Sequence, residues 1–161
     1  MGFNMCQGYC RVAGSVYRKR PTLAAGIRMH DTPLQEGEKT HMHQLLRVLV
    51  AEDEALIAMV MRRYLTQLGC EVVDVVADGP TAADIVRARE IDLMVMDINL
   101  RGSQDGIETV ASLSPHPPVI YASAYGDEDT RTRAAQTRPI AFLTKPVALS
   151  DLRDALSRLP A

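Results

Sequence analysis

The apolar positions of this chain fall into two regimes that meet near residue 45. Beyond it, short apolar runs alternate with segments in which apolar residues return every three or four positions; before it, no period holds. The sharpest run is Ile91-Asp92-Leu93-Met94-Val95-Met96, five apolar residues of six, leading into Asp97. That is the pattern of a strand covered on both faces in a parallel sheet. Residues 45–51, 71–76, 119–123 and 140–144 read as four further strands. Five helices are predicted between and after them. The first spans 55–68 and stops at Gly69; the second is capped by Asp78, carries Pro80 in its first turn and runs to about Arg89. A short third helix opens at Asp105-Gly106 and runs to about Leu113, a polar fourth covers 127–137, and the last covers 149–159. On the first helix, Ile57, Val60, Met61, Tyr64, Leu65 and Leu68 form the expected core stripe, with Leu56 and Met59 off it. Strand and helix alternate five times. The predicted fold is α/β: a doubly wound five-stranded parallel sheet with helices on both faces.

Composition adds bounds. A length of 161 residues with 47% hydrophobic positions suits one folded domain with an appendage. The net charge of −2 makes no case for direct nucleic-acid binding, and no run reaches the roughly 20 apolar residues of a membrane span. Three cysteines are too few and too scattered for a disulfide scaffold, so a cytoplasmic location is expected. Residues 1–44 hold six basic and three acidic residues, a net of +3; residues 45–161 hold twelve and seventeen, a net of −5. Residues 1–44 read as a mostly disordered extension, and 45–161 as the domain. Within the extension, Cys6, Cys10, His30, His41 and His43 match no standard zinc spacing. Met1-Gly2 is followed by Cys6 where a myristoylation signal requires Ser or Thr. Residues 1–30 are free of acid but show no amphipathic helix, so no targeting signal is read there; translation from Met29 or Met42 is an alternative start.

Chemistry gathers at the predicted strand ends. Glu52 and Asp53 follow the first strand, Asp97 ends the third, Ser123 ends the fourth, and Lys145 follows the fifth. In open α/β sheets ligands collect outside these carboxyl ends. Taken singly, each residue has an ordinary explanation as a helix-terminal acid, a cap or a strand end. Together they describe a pocket. Three carboxylates repel one another unless a hard cation such as Mg²⁺ compensates them. Lys145 adds a mobile positive charge and Ser123 a hydroxyl donor. A carboxylate in such company is fitted to attack phosphorus.

These residues and their flanks resemble the receiver domain of two-component response regulators. The matching pieces are Val50-Ala51-Glu52-Asp53-Glu54, Val95-Met96-Asp97-Ile98-Asn99-Leu100, Asp105-Gly106, Tyr121-Ala122-Ser123-Ala124-Tyr125 and Phe142-Leu143-Thr144-Lys145-Pro146. The resemblance spans 45–159 and implies strand order 2-1-3-4-5. It implies Asp97 as phosphoacceptor. It also implies Mg²⁺ held by Glu52, Asp53, Asp97 and the backbone carbonyl of Asn99. Ser123 and Lys145 would stabilise the phosphoryl group, and Ser123 with Phe142 would form the switch. The loop reading Leu100-Arg101-Gly102-Ser103-Gln104 departs from the family by lacking the proline many receivers carry there. With Ala161 as the last residue, a stand-alone receiver is expected.

The resulting expectation is a phosphoacceptor in a histidine-to-aspartate relay. The donor would be a sensor histidine kinase or a histidine phosphotransfer protein, and output would pass to a separate protein. No enzymatic activity is expected beyond self-phosphorylation and self-dephosphorylation. A docking patch is expected at Leu56 and Met59, with the edge of Ile57 or Val60. Two alternatives are a phosphorylation-independent interaction module and a hydrolase with an aspartate nucleophile. The hydrolase would require a second acid just after Asp97, where Ile98 and Asn99 stand. No glycine-rich nucleotide motif is present.

Overall fold

The computed structural model describes residues 9–12, 15–18, 45–124 and 126–160. The chain divides into two units, 1–42 and 43–161. In the first, β1 (Tyr9–Val12) and β2 (Ser15–Arg18) pair antiparallel, with Tyr9 opposite Arg18 and Val12 opposite Ser15. The other readings of residues 1–44, including the cysteine and histidine spacing and the alternative starts, lie outside the described residues.

The second unit alternates strand and helix throughout. Its strands are β3 (Arg47–Ala51), β4 (Glu71–Val76), β5 (Leu93–Asp97), β6 (Val119–Ser123) and β7 (Ala141–Thr144). Its helices are α1 (Ala55–Gln67), α2 (Gly79–Ala88), α3 (Gly106–Ala111), α4 (Glu128–Ala135) and α5 (Leu149–Leu156). All four strand pairings are parallel, in the order β4-β3-β5-β6-β7. Counted within this sheet, that is the expected 2-1-3-4-5. Val50 lies beside Val95, and Val95 beside Ile120. Each strand residue thus faces the core opposite to that of its sequence neighbour.

The two cores follow from this alternation. Leu49, Met94, Met96 and Tyr121 share one with Ala82, Ala83, Val110 and Ala134 of α2, α3 and α4. Val48, Val50, Val95 and Ile120 share the other with Met61, Leu65, Leu152 and Ala155 of α1 and α5. Helix starts are chemical. Asp78 accepts from the Thr81 backbone N–H at 2.8 Å, and Asp127 from that of Thr130 at 2.8 Å. Asp105 and Glu108 form a reciprocal capping box at 2.8 and 3.1 Å. Arg133 ties α4 to that cap, 2.6 Å from Asp105. Under α4, the Tyr121 hydroxyl pairs with that of Thr137 at 3.0 Å, both buried.

One part of the expected α1 stripe is corrected. Val60 is 45% exposed, whereas Ala58 is buried. The inward face is centred on Ala58, Met61 and Leu65, spaced i, i+3 and i+7. Ala58 takes the inward place one turn before Met61, and Val60, two positions on, faces outward.

Gly106 sits where α3 begins, its N–H donating to the Ile98 carbonyl at 2.9 Å. A Cβ here would overlap the Asp97 carbonyl oxygen and come 2.8 Å from Met96 Cγ. Neither the central strand nor the helix start can yield without losing hydrogen bonds. Gly106→Ala is therefore expected to lower stability by about 1–3 kcal/mol in urea unfolding. An unchanged midpoint would show that the backbone yields freely there.

Candidate functional site

The carboxyl ends of β3, β5 and β6 deliver the acids and the hydroxyl to one edge. The Glu52 backbone N–H donates to the Val76 carbonyl at 2.8 Å, which extends sheet pairing one residue past β3 and fixes the acidic pair. Asp97 is the last residue of β5 and Ser123 the last of β6; Glu52, Asp97 and Ser123 are all buried. The Lys145 backbone N–H donates to the Ser123 carbonyl at 2.9 Å, and this brings the lysine in just past β7.

Lys145 Nζ stands 2.6 Å from Asp97 Oδ2, 2.7 Å from Glu52 Oε2 and 2.9 Å from Glu52 Oε1. Its side chain is 9% exposed and those of its partners 5% or less, so the three form a desolvated cluster. Burial pushes the Glu52 carboxyl up and the Asp97 charge adds to this, while the bond to Lys145 opposes both. For Lys145, burial disfavours the ammonium, but the bonds and charges of Asp97 and Glu52 outweigh it and raise its pKa. Lys145 is thus held charged. The other Asp97 oxygen, Oδ1, accepts the Asn99 backbone N–H at 3.0 Å. The Asn99 side-chain amide donates to Ser123 Oγ at 3.4 Å.

Carboxylate oxygens of Glu52, Asp53 and Asp97 all lie within 4.8 Å of one another. This all-oxygen, strongly negative donor set fits a small hard divalent cation of the Mg²⁺ type. The expected residues Glu52, Asp53, Asp97, Asn99, Ser123 and Lys145 therefore do come together. Phe142 lies on the neighbouring strand, paired with Tyr121. Leu56 and Met59 are 77% and 66% exposed on the first turns of α1, while Ile57 is half-buried.

Two arginines at the site were not read from the sequence. Arg101 Nε stands 2.7 Å from Asp53 Oδ2. Arg131 lies 4.5 Å over the Phe142 ring, and its Nε donates to the Gly126 carbonyl at 3.0 Å. Both sit in polar segments without a period. For Arg101, the cue in the sequence was a loop without the proline many receivers carry there.

Comparison with known proteins follows the geometry. Residues 48–157 match the response regulator receiver domain. Over 112 residues, 68% of this chain, it is 34% identical to the transcriptional regulatory protein PdtaR of Mycobacterium tuberculosis. This chain spans about half (54%) of that relative's length. It is 26% identical to the chemotaxis protein CheY of Thermotoga maritima, covering 70% of this chain and 96% of that protein. Among solved structures, the signal receiver domain of a modulated diguanylate cyclase from Desulfovibrio desulfuricans G20 superposes with a TM-score of 0.66 at 34% identity. That match covers 71% of this chain and 92% of the other. Receiver domains are typically non-enzymatic signalling modules that partner histidine kinases. Among the described residues, no helix is long and apolar enough to cross a membrane. On this sequence match and this sheet order, the chain belongs to the response regulator receiver domain family of two-component signalling.

Proposed function

We propose that Asp97 accepts a phosphoryl group from a phosphohistidine donor, a sensor histidine kinase or a histidine phosphotransfer protein. The reading rests on one observation above all: a buried carboxylate meets a buried lysine and two further acids at the carboxyl edge of the sheet. An Asp97 oxygen bonds to phosphorus as the P–N bond to the donor imidazole breaks, and the imidazole departs with the bonding electrons. Lys145 offsets charge on the transferring oxygens, and Ser123 donates a hydrogen bond to one of them. Glu52, Asp53 and Asp97, with the Asn99 carbonyl, would hold Mg²⁺. When bound, the ion adds positive charge beside those same oxygens. Incubation with acetyl phosphate and Mg²⁺, read by intact mass, should show one added phosphoryl group per chain and none with excess chelator. Absence of labelling at saturating donor would overturn the reading.

A hydrolase is disfavoured because Ile98 is buried and Asn99 carries no acid. A module indifferent to phosphorylation leaves the buried lysine–carboxylate cluster without a purpose. Residues 45–161 form the receiver in this reading and 1–44 an extension.

The outward Leu56, Met59 and Val60, beside half-buried Ile57, form an apolar patch within two turns of the acidic pair. This patch is read as the docking surface for the donor's helices. Met59→Asp should slow transfer from a phosphohistidine protein about tenfold, the loss of one central interface contact. Acetyl phosphate labelling should stay unchanged; equal loss with both donors would refute docking.

For output, Ser123 drawn toward a phosphorylated Asp97 leaves space that Phe142 fills. The contact of Arg131 with the Phe142 ring carries that motion into α4, which buries only Ala134. With beryllofluoride, amide-exchange protection should change across residues 123–145, and the change should shrink in Ser123→Ala. Changes confined to the loop after Asp97 would exclude this route.

A further inference from the structure

We infer that Arg101 is a built-in competitor for the divalent cation at Asp53, and that it thereby sets the protein's Mg²⁺ affinity. This inference rests on the reading of Glu52, Asp53 and Asp97 as the cation's ligands.

Lys145 serves Glu52 and Asp97, while Arg101 serves Asp53 at 2.7 Å. Two organic cations thus balance three carboxylates. The two partners of the Arg101 pair differ sharply. The Asp53 side chain is 9% exposed and that of Arg101 84%. The acid is fixed and nearly dry; the guanidinium reaches it from solvent.

The backbone directs this reach. Leu100 is buried in the core and pins the loop on one side of Arg101. On the other side Gly102 has φ of 125°, a conformation that side chains with a Cβ rarely adopt, and the chain bends there. Arg101 is thus held between a buried anchor and a bend, in the loop that lacks the proline many receivers carry.

A cation entering the site must take Asp53 from the guanidinium and then tolerate a positive charge tethered nearby. Because Arg101 is largely solvated, its release is inexpensive. The device therefore tunes affinity and does not block the site.

Titration calorimetry with MgCl₂ tests this on the full chain. Arg101→Gln should bind Mg²⁺ about two- to fivefold tighter than the native protein at low ionic strength, the scale of one exposed ion pair. Arg101→Lys, which keeps the charge on a different head group, should fall between them. The ratio should approach one near 1 M salt, where charges are screened within about 3 Å. In an Asp53→Asn background the gain from Arg101→Gln should vanish. Equal Kd values for the native protein and Arg101→Gln, or a gain that persists without Asp53, would overturn the inference and leave the cation site standing. If none of the variants binds Mg²⁺, the cation reading falls and this inference with it.

Discussion

Asp97→Ala protein should take up no phosphoryl group from acetyl phosphate or a phosphohistidine donor under conditions that label the native chain. The expected loss is about 10⁴-fold or more in rate, the scale seen when a nucleophile is deleted. No neighbour is placed to substitute. Both oxygens of Glu52 are engaged by Lys145, and Asp53 is engaged by Arg101. Asp97 presents one oxygen to Lys145 and the other to the Asn99 backbone N–H, at the very end of the central strand. The variant should remain folded, because Lys145 keeps its bonds to Glu52. Intact mass after Mg²⁺-dependent incubation decides the matter: stoichiometric labelling of Asp97→Ala would place the acceptor elsewhere.

Lys145→Met should be the most destabilising exchange at the site. It leaves two buried carboxylates facing each other without a counter-charge, and breaking a buried pair in this way costs about 3–5 kcal/mol. The cost should depend on pH with a definite sign. The folded-state pKa of Glu52 is already raised, by burial first. The native state therefore binds that proton more tightly than the unfolded chain, and stability falls as pH rises through the range between the two values. Without Lys145, Glu52 is pushed higher still, so the deficit against the native protein should be largest at neutral pH and shrink in acid. The raised pKa of Lys145 means that its own contribution is fully present at neutral pH and is lost only in strong alkali. Urea unfolding at pH 7 and pH 5, in chelator so that no divalent cation compensates, would show this. A deficit of equal size at both pH values would exclude the unpaired carboxylates as its cause.

The acidic edge was legible because topology does the assembling. Once five apolar runs are recognised as parallel strands, the residues at their carboxyl ends must meet, whatever their separation in sequence. The boundaries of β4 and β6 were read to the residue, since both runs are bounded by glycine, proline or a charged turn. Val60 was misplaced because the wheel weighted large side chains and ignored Ala58, whose burial fixes the helix rotation. The predicted ends of α4 and α5 overran by two and three residues, where the final turns tighten and no glycine marks a stop. Arg101 and Arg131 escaped notice for a different reason. An arginine in a polar loop or helix has no preferred partner until the fold supplies one.

The burial of the Tyr121 phenol beneath α4 gives the molecule an alkaline limit and an optical gauge of its own integrity. Burial holds the Tyr121 phenol at about 12. An unfolded tyrosine releases its proton near pH 10. Between those values the native state keeps a proton that the unfolded chain gives up, so alkali tilts the balance toward unfolding. The sequence contains no tryptophan but four other tyrosines, so the Tyr121 phenolate is read as the absorbance difference between the native protein and Tyr121→Phe. Appearance of the Tyr121 phenolate below about pH 12 therefore reports opening of the sheet beneath α4, with no label attached to the protein.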